Sequence, residues 1–273
     1  MSGVINGLLE RTTGYRLVNS GRSAKAARSK RDDATARPAA SKPKPRGSGL
    51  PADFDDEAVA IIKKVSDRTM TGPEKLYGLI SAVRYVHRYD VPGAIVECGV
   101  WRGGSMQAVA RTLDGYGDYS RDLFLFDTFE GMPPPTEEDV RVRDGRSAEQ
   151  LLAGASETSK VKAIASLDDV QAGFADVPYP KEKVHYVQGM VEDTIPEQAP
   201  DEISILRLDT DWYASTKHEF EHLYHRLSSG GVLIIDDYGW WDGSRRATEE
   251  FLDKSSARLL LTRAGSGRIA VKP

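Results

Sequence analysis

The chain has 273 residues, 40% of them hydrophobic, enough for one large domain or two small ones with a sizeable core. Its single cysteine, Cys98, excludes a disulfide framework and a cysteine-based metal cluster, and no apolar run reaches the roughly 20 residues of a membrane span. The net charge of −4 divides unevenly: ten basic residues from Arg16 to Arg46 against Asp32 and Asp33 give +8 and leave −12 on residues 47–273, which is not the balance of a nucleic-acid-binding domain.

Residues 1–19 read as a short amphipathic helix with Val4, Ile5, Leu8 and Leu9 on one face. It is either an anchor to a partner or membrane surface, or a helix packing on its own domain or a neighbouring subunit. Residues 20–50 are Ser, Ala, Pro, Gly, Lys and Arg with almost no large apolar side chain; such a segment cannot offset its ordering entropy, and a disordered basic linker is expected. No basic start precedes a long apolar stretch, so no signal peptide is expected. With the lone cysteine, this points to a cytoplasmic setting.

The folded body is placed at 51–273. Helical spacing of apolar residues predicts helices over 53–69 and 72–90, and Pro92-Gly93 then breaks the chain. Strands and helices alternate from there. Strands are expected at 94–99, 122–129, 183–189, 202–211 and 230–238, with helices at 105–113, largely over 161–177, and at 215–227 and 244–254, and a hairpin over 258–273. The apolar runs lack polar alternation, as in strands buried on both faces of a parallel sheet. The fold class is α/β: a Rossmann-like, mostly parallel, seven-stranded sheet with helices on both faces.

In such sheets ligands bind outside the carboxyl ends of the strands. The first end, "ECGVWRGGS", is neither a dinucleotide fingerprint nor a phosphate-binding P-loop, because Gly99, Gly103 and Gly104 have the wrong spacing and no Gly-Lys-Ser/Thr follows. Glu97 beside the loop argues against a polyphosphate. It argues for a ligand with positive character and hydroxyls, as in S-adenosylmethionine; a ligand-free tight turn is the alternative. At the second end, Asp127 follows Glu97 by 30 residues and can accept both hydrogen bonds of a ribose diol. The Gly-Met-Pro-Pro-Pro after it opens a long polar loop through Arg146, expected to be a lid. At the third end Gln188 and Gly189 fall where an adenine edge would lie. Ser166 and Asp168 either approach the cofactor or form a helix N-cap.

The fourth and fifth ends carry Asp209 and Asp211, then Asp236 and Asp237. Carboxylates converging at one edge repel one another, and a divalent cation is the simplest compensation. An all-oxygen set suits Mg²⁺. His218, His222 and His225 share a helical spacing, read as a solvated face rather than a zinc site, and His87 and His185 are read as structural. Trp240 and Trp241 could form a sugar-stacking wall, with core packing an equal account of one of them.

Together "VECGVWRGGS", "LFDTFEGMP", "LRLDTDWYAST" and "GGVLIIDDYGWWDG" resemble the macrocin O-methyltransferase family over about residues 70–255. "ERTTGYRLV" resembles the start of some members, but the basic linker after it departs from their shorter pattern. These enzymes use S-adenosylmethionine and a metal to methylate sugar hydroxyls, often on natural products such as macrolides. The resemblance implies that Glu97, Gly99 and Ser105 line the methionine end of the cofactor, that Asp127 holds the ribose, and that Asp209, Asp236 and Asp237 hold Mg²⁺. Trp101 and Thr128, in the same two loops, are assigned to the cofactor with them. Asp209 is expected to double as general base, with Asp211 the second candidate. The acceptor is expected to be a glycosylated small molecule or a glycan, and self-association is common in the family. Catechol O-methyltransferases share the fold and the metal, but their lysine base three residues after the first metal aspartate is Trp212 here. A phenol or catechol acceptor, and an inactive methyltransferase-like binding protein, are the rival readings.

Overall fold

The computed structural model describes residues 49–273 apart from 157, 158, 160 and 161. The expected N-terminal helix and almost all of the basic linker lie outside the described residues.

Helix α1, Asp56–Val65, starts where the Asp55 side chain accepts from the Ala58 amide, and it carries acids in its first turn and lysines in its last. Both placements complement the helix dipole. Helix α2, Pro73–Arg88, follows Gly72 with proline at its first position, where the missing N–H costs nothing. The alternation then runs β1 Ala94–Cys98, α3 Gly104–Gly115, β2 Leu123–Asp127, α4 Ala148–Ala153, α5 Leu167–Phe174, β3 Val184–Gln188, α6 Val191–Thr194, β4 Ile203–Leu208, α7 Tyr213–Leu223, β5 Leu227–Ile235, α8 Asp242–Lys254, β6 Thr262–Ala264 and β7 Gly267–Val271.

The sheet has seven strands in the order β3-β2-β1-β4-β5-β7-β6. The pairs from β3 to β5 are parallel, and β7 pairs antiparallel with both β5 and β6. Strand order reverses between β1 and β4, so the carboxyl ends of those two strands flank the crevice that such sheets use for ligands. Every residue of β1 and β4 is buried. Ile95, Leu125, Ile205 and Ile234 face a core with α2, α3 and α5. Val96, Phe126, Leu206 and Leu233 face a second core with α7.

The helix expected over 53–69 is confined to Asp56–Val65, and the one expected largely over 161–177 is shorter still. Within 161–177 the helix begins at Leu167, because Ser166 accepts from the Asp169 amide and caps it. Ala163 just upstream has φ 46°, outside the right-handed helical region. The N-cap account of Ser166 therefore holds, and Asp168 sits in the first turn of α5.

The glycines after β1 have a packing reason. Gly99 has φ 84°, and a Cβ there would fall on the Asp209 carbonyl oxygen. A Cβ on Gly104 would meet the Arg68 carbonyl at 2.6 Å. The glycine loop thus lets two backbone segments approach, quite apart from any ligand. Gly99→Ala should cost about 3 kcal/mol or more, combining a left-handed alanine with a backbone clash, as read by urea unfolding. A loss below about 1 kcal/mol would show that Asp209 can move freely.

Candidate active site

The centre of the site is a residue the sequence reading passed over. Arg207 lies within β4, in register with Glu97 on β1, and both are almost fully buried. Its Nη1 donates to Glu97 Oε1 and, at 2.6 Å, to Asp209 Oδ2. Its Nη2 donates to Asp236 Oδ1 at 2.6 Å and to Thr71 Oγ1 at 2.8 Å. One guanidinium therefore ties together the ends of β1, β4 and β5. Burial disfavours its charge, yet Asp209, Asp236 and Glu97 hold its pKa well above the usual arginine value. Lys75, in the first turn of α2, adds a second cation: its Nζ donates to Asp236 Oδ2 at 2.5 Å and to the Asp236 carbonyl at 2.9 Å.

Asp209, Asp236 and Asp237 each offer an oxygen within 4.8 Å of the others. Among the described residues this is the one grouping of three such side chains that could hold a metal ion. Burial raises Asp209 and Asp237 well above the ordinary carboxyl range; Asp236 adds to both, with Asp237 acting on Asp209 and Asp211 on Asp237. Asp236 is also desolvated, but Arg207 and Lys75 more than offset this and hold it below the usual value. Burial and the neighbouring Asp209 push Asp211 up to about 7, against a hydrogen bond from Trp241 Nε1 to its Oδ1 at 2.5 Å. Glu97 is likewise pushed up to about 7 by burial, despite Arg207.

Five carboxyl groups, Glu97, Asp209, Asp211, Asp236 and Asp237, thus face two cations, Arg207 and Lys75. Asp237 Oδ2 is buried without a hydrogen-bond partner. Excess negative charge, oxygen-only donors and an orphaned carboxylate oxygen are what a hard divalent cation requires, so the residues fit one.

This cluster opens into a cleft of about 750 Å³ at the carboxyl edge of the sheet. Its wall includes Gly99, Trp101, Ser105, Asp127, Thr128, Gly189, Asp209, Asp211, Asp236 and Asp237, so the structure brings most of the expected site residues together. Glu97 and Gln188 lie off this wall. Glu97 does not reach the wall: it lies beneath, as the counter-ion of Arg207. Gln188 is exposed at the end of β3, and only the next residue, Gly189, faces the cleft.

Asp127, on the wall, is already engaged by backbone amides. Its Oδ2 already accepts the Val100 and Trp101 amides at 2.6 and 3.0 Å, and its Oδ1 accepts Phe129 N at 2.7 Å. It fixes the glycine loop, which leaves capacity on Oδ1 but not for both hydroxyls of a diol. Ser105 is held near Thr69 and Thr71 by hydroxyl contacts of 3.4 and 3.3 Å.

The two tryptophans divide. Trp241 is buried edge-to-face against Trp212 and orients Asp211, whereas Trp240 is 44% exposed on the cleft rim. Met70, Met132 and Met190 also line the cleft, giving it adaptable apolar walls. The loop after β2 is not a free flap, because Trp212 Nε1 donates to the Pro133 carbonyl at 2.9 Å and Val142 N to the Trp240 carbonyl at 2.9 Å. His218 contacts the Ile195 carbonyl at 2.9 Å and lies against His222 with the rings tilted by 43°, while His225 lies in the 3₁₀ turn beyond α7. His87 and His185 pair with Asp118 and Asp122 near the opposite edge of the sheet.

Two outcomes follow from the charge arrangement. Arg207→Met leaves buried Glu97 and half-buried Asp209 without a cation and Asp236 with Lys75 alone, and should destabilise the protein by about 3–5 kcal/mol at neutral pH, measured by denaturant unfolding. Asp211 and Glu97 have folded-state values near 7, above their ordinary 3.8 and 4.5, so their contribution favours folding below about pH 4 and is lost as pH rises through about 7. In EDTA the melting temperature should fall from about pH 5 to about pH 8, and Asp211→Asn should flatten that fall. A wild-type melting temperature independent of pH would contradict this arrangement.

A family model described as macrocin O-methyltransferase (TylF) matches residues 48–263. The chain is 36% identical over 183 residues, 67% of each chain, to 8-demethyl-8-(2,3-dimethoxy-alpha-L-rhamnosyl)-tetracenomycin-C 4'-O-methyltransferase of Streptomyces olivaceus. It is 34% identical to mycinamicin III 3''-O-methyltransferase of Micromonospora griseorubida, over 68% of this chain and 70% of that one. Among solved structures, the O-methyltransferase NovP superposes with a TM-score of 0.64 at 29% identity, covering 75% of this chain and 82% of that one. Calicheamicin methyltransferase CalS11, at 22% identity and a TM-score of 0.55 over 79% of this chain and 91% of that one, shares the fold. The carboxylate cluster at the switch point of a class I methyltransferase sheet and these likenesses agree: the chain belongs to the macrocin O-methyltransferase family, and it is an O-methyltransferase.

Proposed function

We propose that this enzyme transfers the methyl group of S-adenosylmethionine to a hydroxyl on the sugar of a glycosylated natural product or glycan, with Mg²⁺ held by Asp209, Asp236 and Asp237. The observation that carries the metal reading is the carboxylate triad with its unpaired Asp237 Oδ2, opening into the cleft. The sugar acceptor is supported by relatives whose names specify methylation of a rhamnosyl-tetracenomycin and of mycinamicin III.

Methyl transfer from a sulfonium is an in-line displacement, so the protein's main task is to align oxygen, methyl carbon and sulfur. In this reading the cofactor lies along Gly99–Ser105 and Asp127–Thr128, with Asp127 Oδ1 accepting one ribose hydroxyl and Gly189 leaving room for the adenine. Bound Mg²⁺ would lower the pKa of a coordinated sugar hydroxyl and fix its position. The geometry favours Asp211 over Asp209 as the group that takes the proton. Both line the cleft, but an Asp209 oxygen is held by the charged Arg207, whereas Asp211 is oriented by the neutral Trp241 N–H. A catechol-type lysine base finds no support: Trp212 is buried at that position, and Lys75 is committed to Asp236.

The test is calorimetric titration with S-adenosylmethionine and with Mg²⁺, followed by a screen of glycosylated acceptors using labelled methyl donor. Turnover should require the metal and be abolished by EDTA. Asp236→Ala should lose Mg²⁺ binding. Asp211→Asn should lower kcat by about 100-fold or more while cofactor affinity stays within about threefold of wild type. Full turnover in EDTA would remove the metal from this reading, and undiminished kcat in Asp211→Asn would remove Asp211.

A further inference from the structure

The two carboxylate-bearing loops, after β4 and after β5, are joined by something other than Arg207. Asp139 comes from the long loop after β2 and is fully buried. Its Oδ1 accepts the Tyr213 amide at 2.7 Å, and its Oδ2 accepts the Thr136 amide and hydroxyl at 2.7 and 2.9 Å. Tyr213 is the first residue of α7, and its N-cap residue, Trp212, offers no side-chain cap. Asp139 therefore caps this helix from a distant part of the sequence, placing a carboxylate at the helix N-terminus.

The next residues along the loop grip the other carboxylate loop. The Asp242 amide, at the start of α8, donates to the Val140 carbonyl at 2.8 Å. Arg141 bridges to Trp241, and Val142 N donates to the Trp240 carbonyl. Gly243 lies so close that a Cβ there would overlap Asp139 Oδ1. The segment is closed on itself by Ala148 N to the Asp139 carbonyl at 2.8 Å and Arg141 N to the Arg146 carbonyl at 2.9 Å. One short stretch thus holds Tyr213, two residues after Asp211, and Trp240, three residues after Asp237.

We propose that the segment from Thr136 to Ala148 is a strap that fixes the spacing between the Asp209–Asp211 loop and the Asp236–Asp237 loop, with Asp139 its positioning residue. The inference rests on the metal reading given above. Mg²⁺ demands near-ideal octahedral ligands, so small shifts of one loop against the other reduce its affinity. Asp139 touches neither the triad nor the acceptor; it acts through the helix start that carries Asp211's loop.

The experiment is calorimetric titration of the whole protein with Mg²⁺ and with S-adenosylmethionine, for wild type, Asp139→Ala, Gly243→Ala and Thr136→Ala, with melting temperatures in parallel. Asp139→Ala and Gly243→Ala disturb the same contact by opposite means, removal and crowding. Both should weaken Mg²⁺ binding by about tenfold or more, as loss of outer supporting partners does, with cofactor affinity within about threefold of wild type. Thr136→Ala keeps the Asp139–Tyr213 bond and should retain more Mg²⁺ affinity than either. Asp139→Asn, which keeps an acceptor for Tyr213, should recover part of the loss and tests the contact if the alanine variant does not fold. Lower melting temperatures with unchanged Mg²⁺ affinity would overturn the strap and leave Asp139 a structural residue. Wild type that binds no Mg²⁺ would instead overturn the metal reading beneath it.

Discussion

The site depends on an ion pair in the middle of a sheet. Glu97 and Arg207 are neighbours on β1 and β4, two strands with no exposed residue. Desolvating such a pair costs several kcal/mol per ion, and a well-packed apolar pair of similar volume often gives equal or greater stability. Stability is therefore a poor explanation for its presence. A better one is that a buried guanidinium with five donors can hold carboxylates from several strands in fixed directions. Arg207 uses that capacity on Glu97, Asp209 and Asp236.

Glu97 neutralises Arg207 from below, Asp209 and Asp236 are oriented from the cleft side, and Lys75 secures the second oxygen of Asp236. Asp237 and Asp211 receive no such cation, although Trp241 donates to Asp211. The arrangement is thus uneven: Asp236, held by both cations, is the one acid of the five kept below its usual range, while Glu97, Asp209, Asp211 and Asp237 remain under-compensated. Carboxyls that stay electrostatically unsatisfied are the ones able to take up a cation or a proton, which is why perturbed acids gather where chemistry occurs.

Much of this was legible in the sequence, for a topological reason. Parallel strands end at one edge, so acids following apolar runs must converge there, which placed Asp127, Asp209, Asp211, Asp236 and Asp237 on one cleft. Arg207 could have been found the same way: a lone arginine in "ISILRL" and a lone glutamate in "AIVEC" are opposite charges in runs otherwise without charge, and central strands must pair them. Lys75 and Asp139 had no such signal. Their partners are 161 and 74 residues away along the chain, and nothing local in either segment marks them. The glycines after β1 were visible, but the strand-to-strand contact of Gly99 with Asp209 was not, because a glycine required by a neighbouring backbone looks the same as one required by a ligand. The start of α5 was misjudged because apolar residues upstream of Ser166 continue a helical spacing that Ala163's backbone does not follow.

The long-range contacts carry a consequence for how folding and ligand binding are linked. The under-compensated acids repel one another more as each ionises, so the unliganded protein becomes less favoured as pH rises through neutral. Any cation that binds the folded site and not the unfolded chain relieves that repulsion and stabilises the fold by mass action. Arg207 and Lys75 limit the repulsion enough for the site to form, and they leave enough negative charge for it to bind. Adding a third fixed cation would make a more stable protein with a weaker claim on the metal; removing Arg207 would leave carboxylates that the fold cannot hold together.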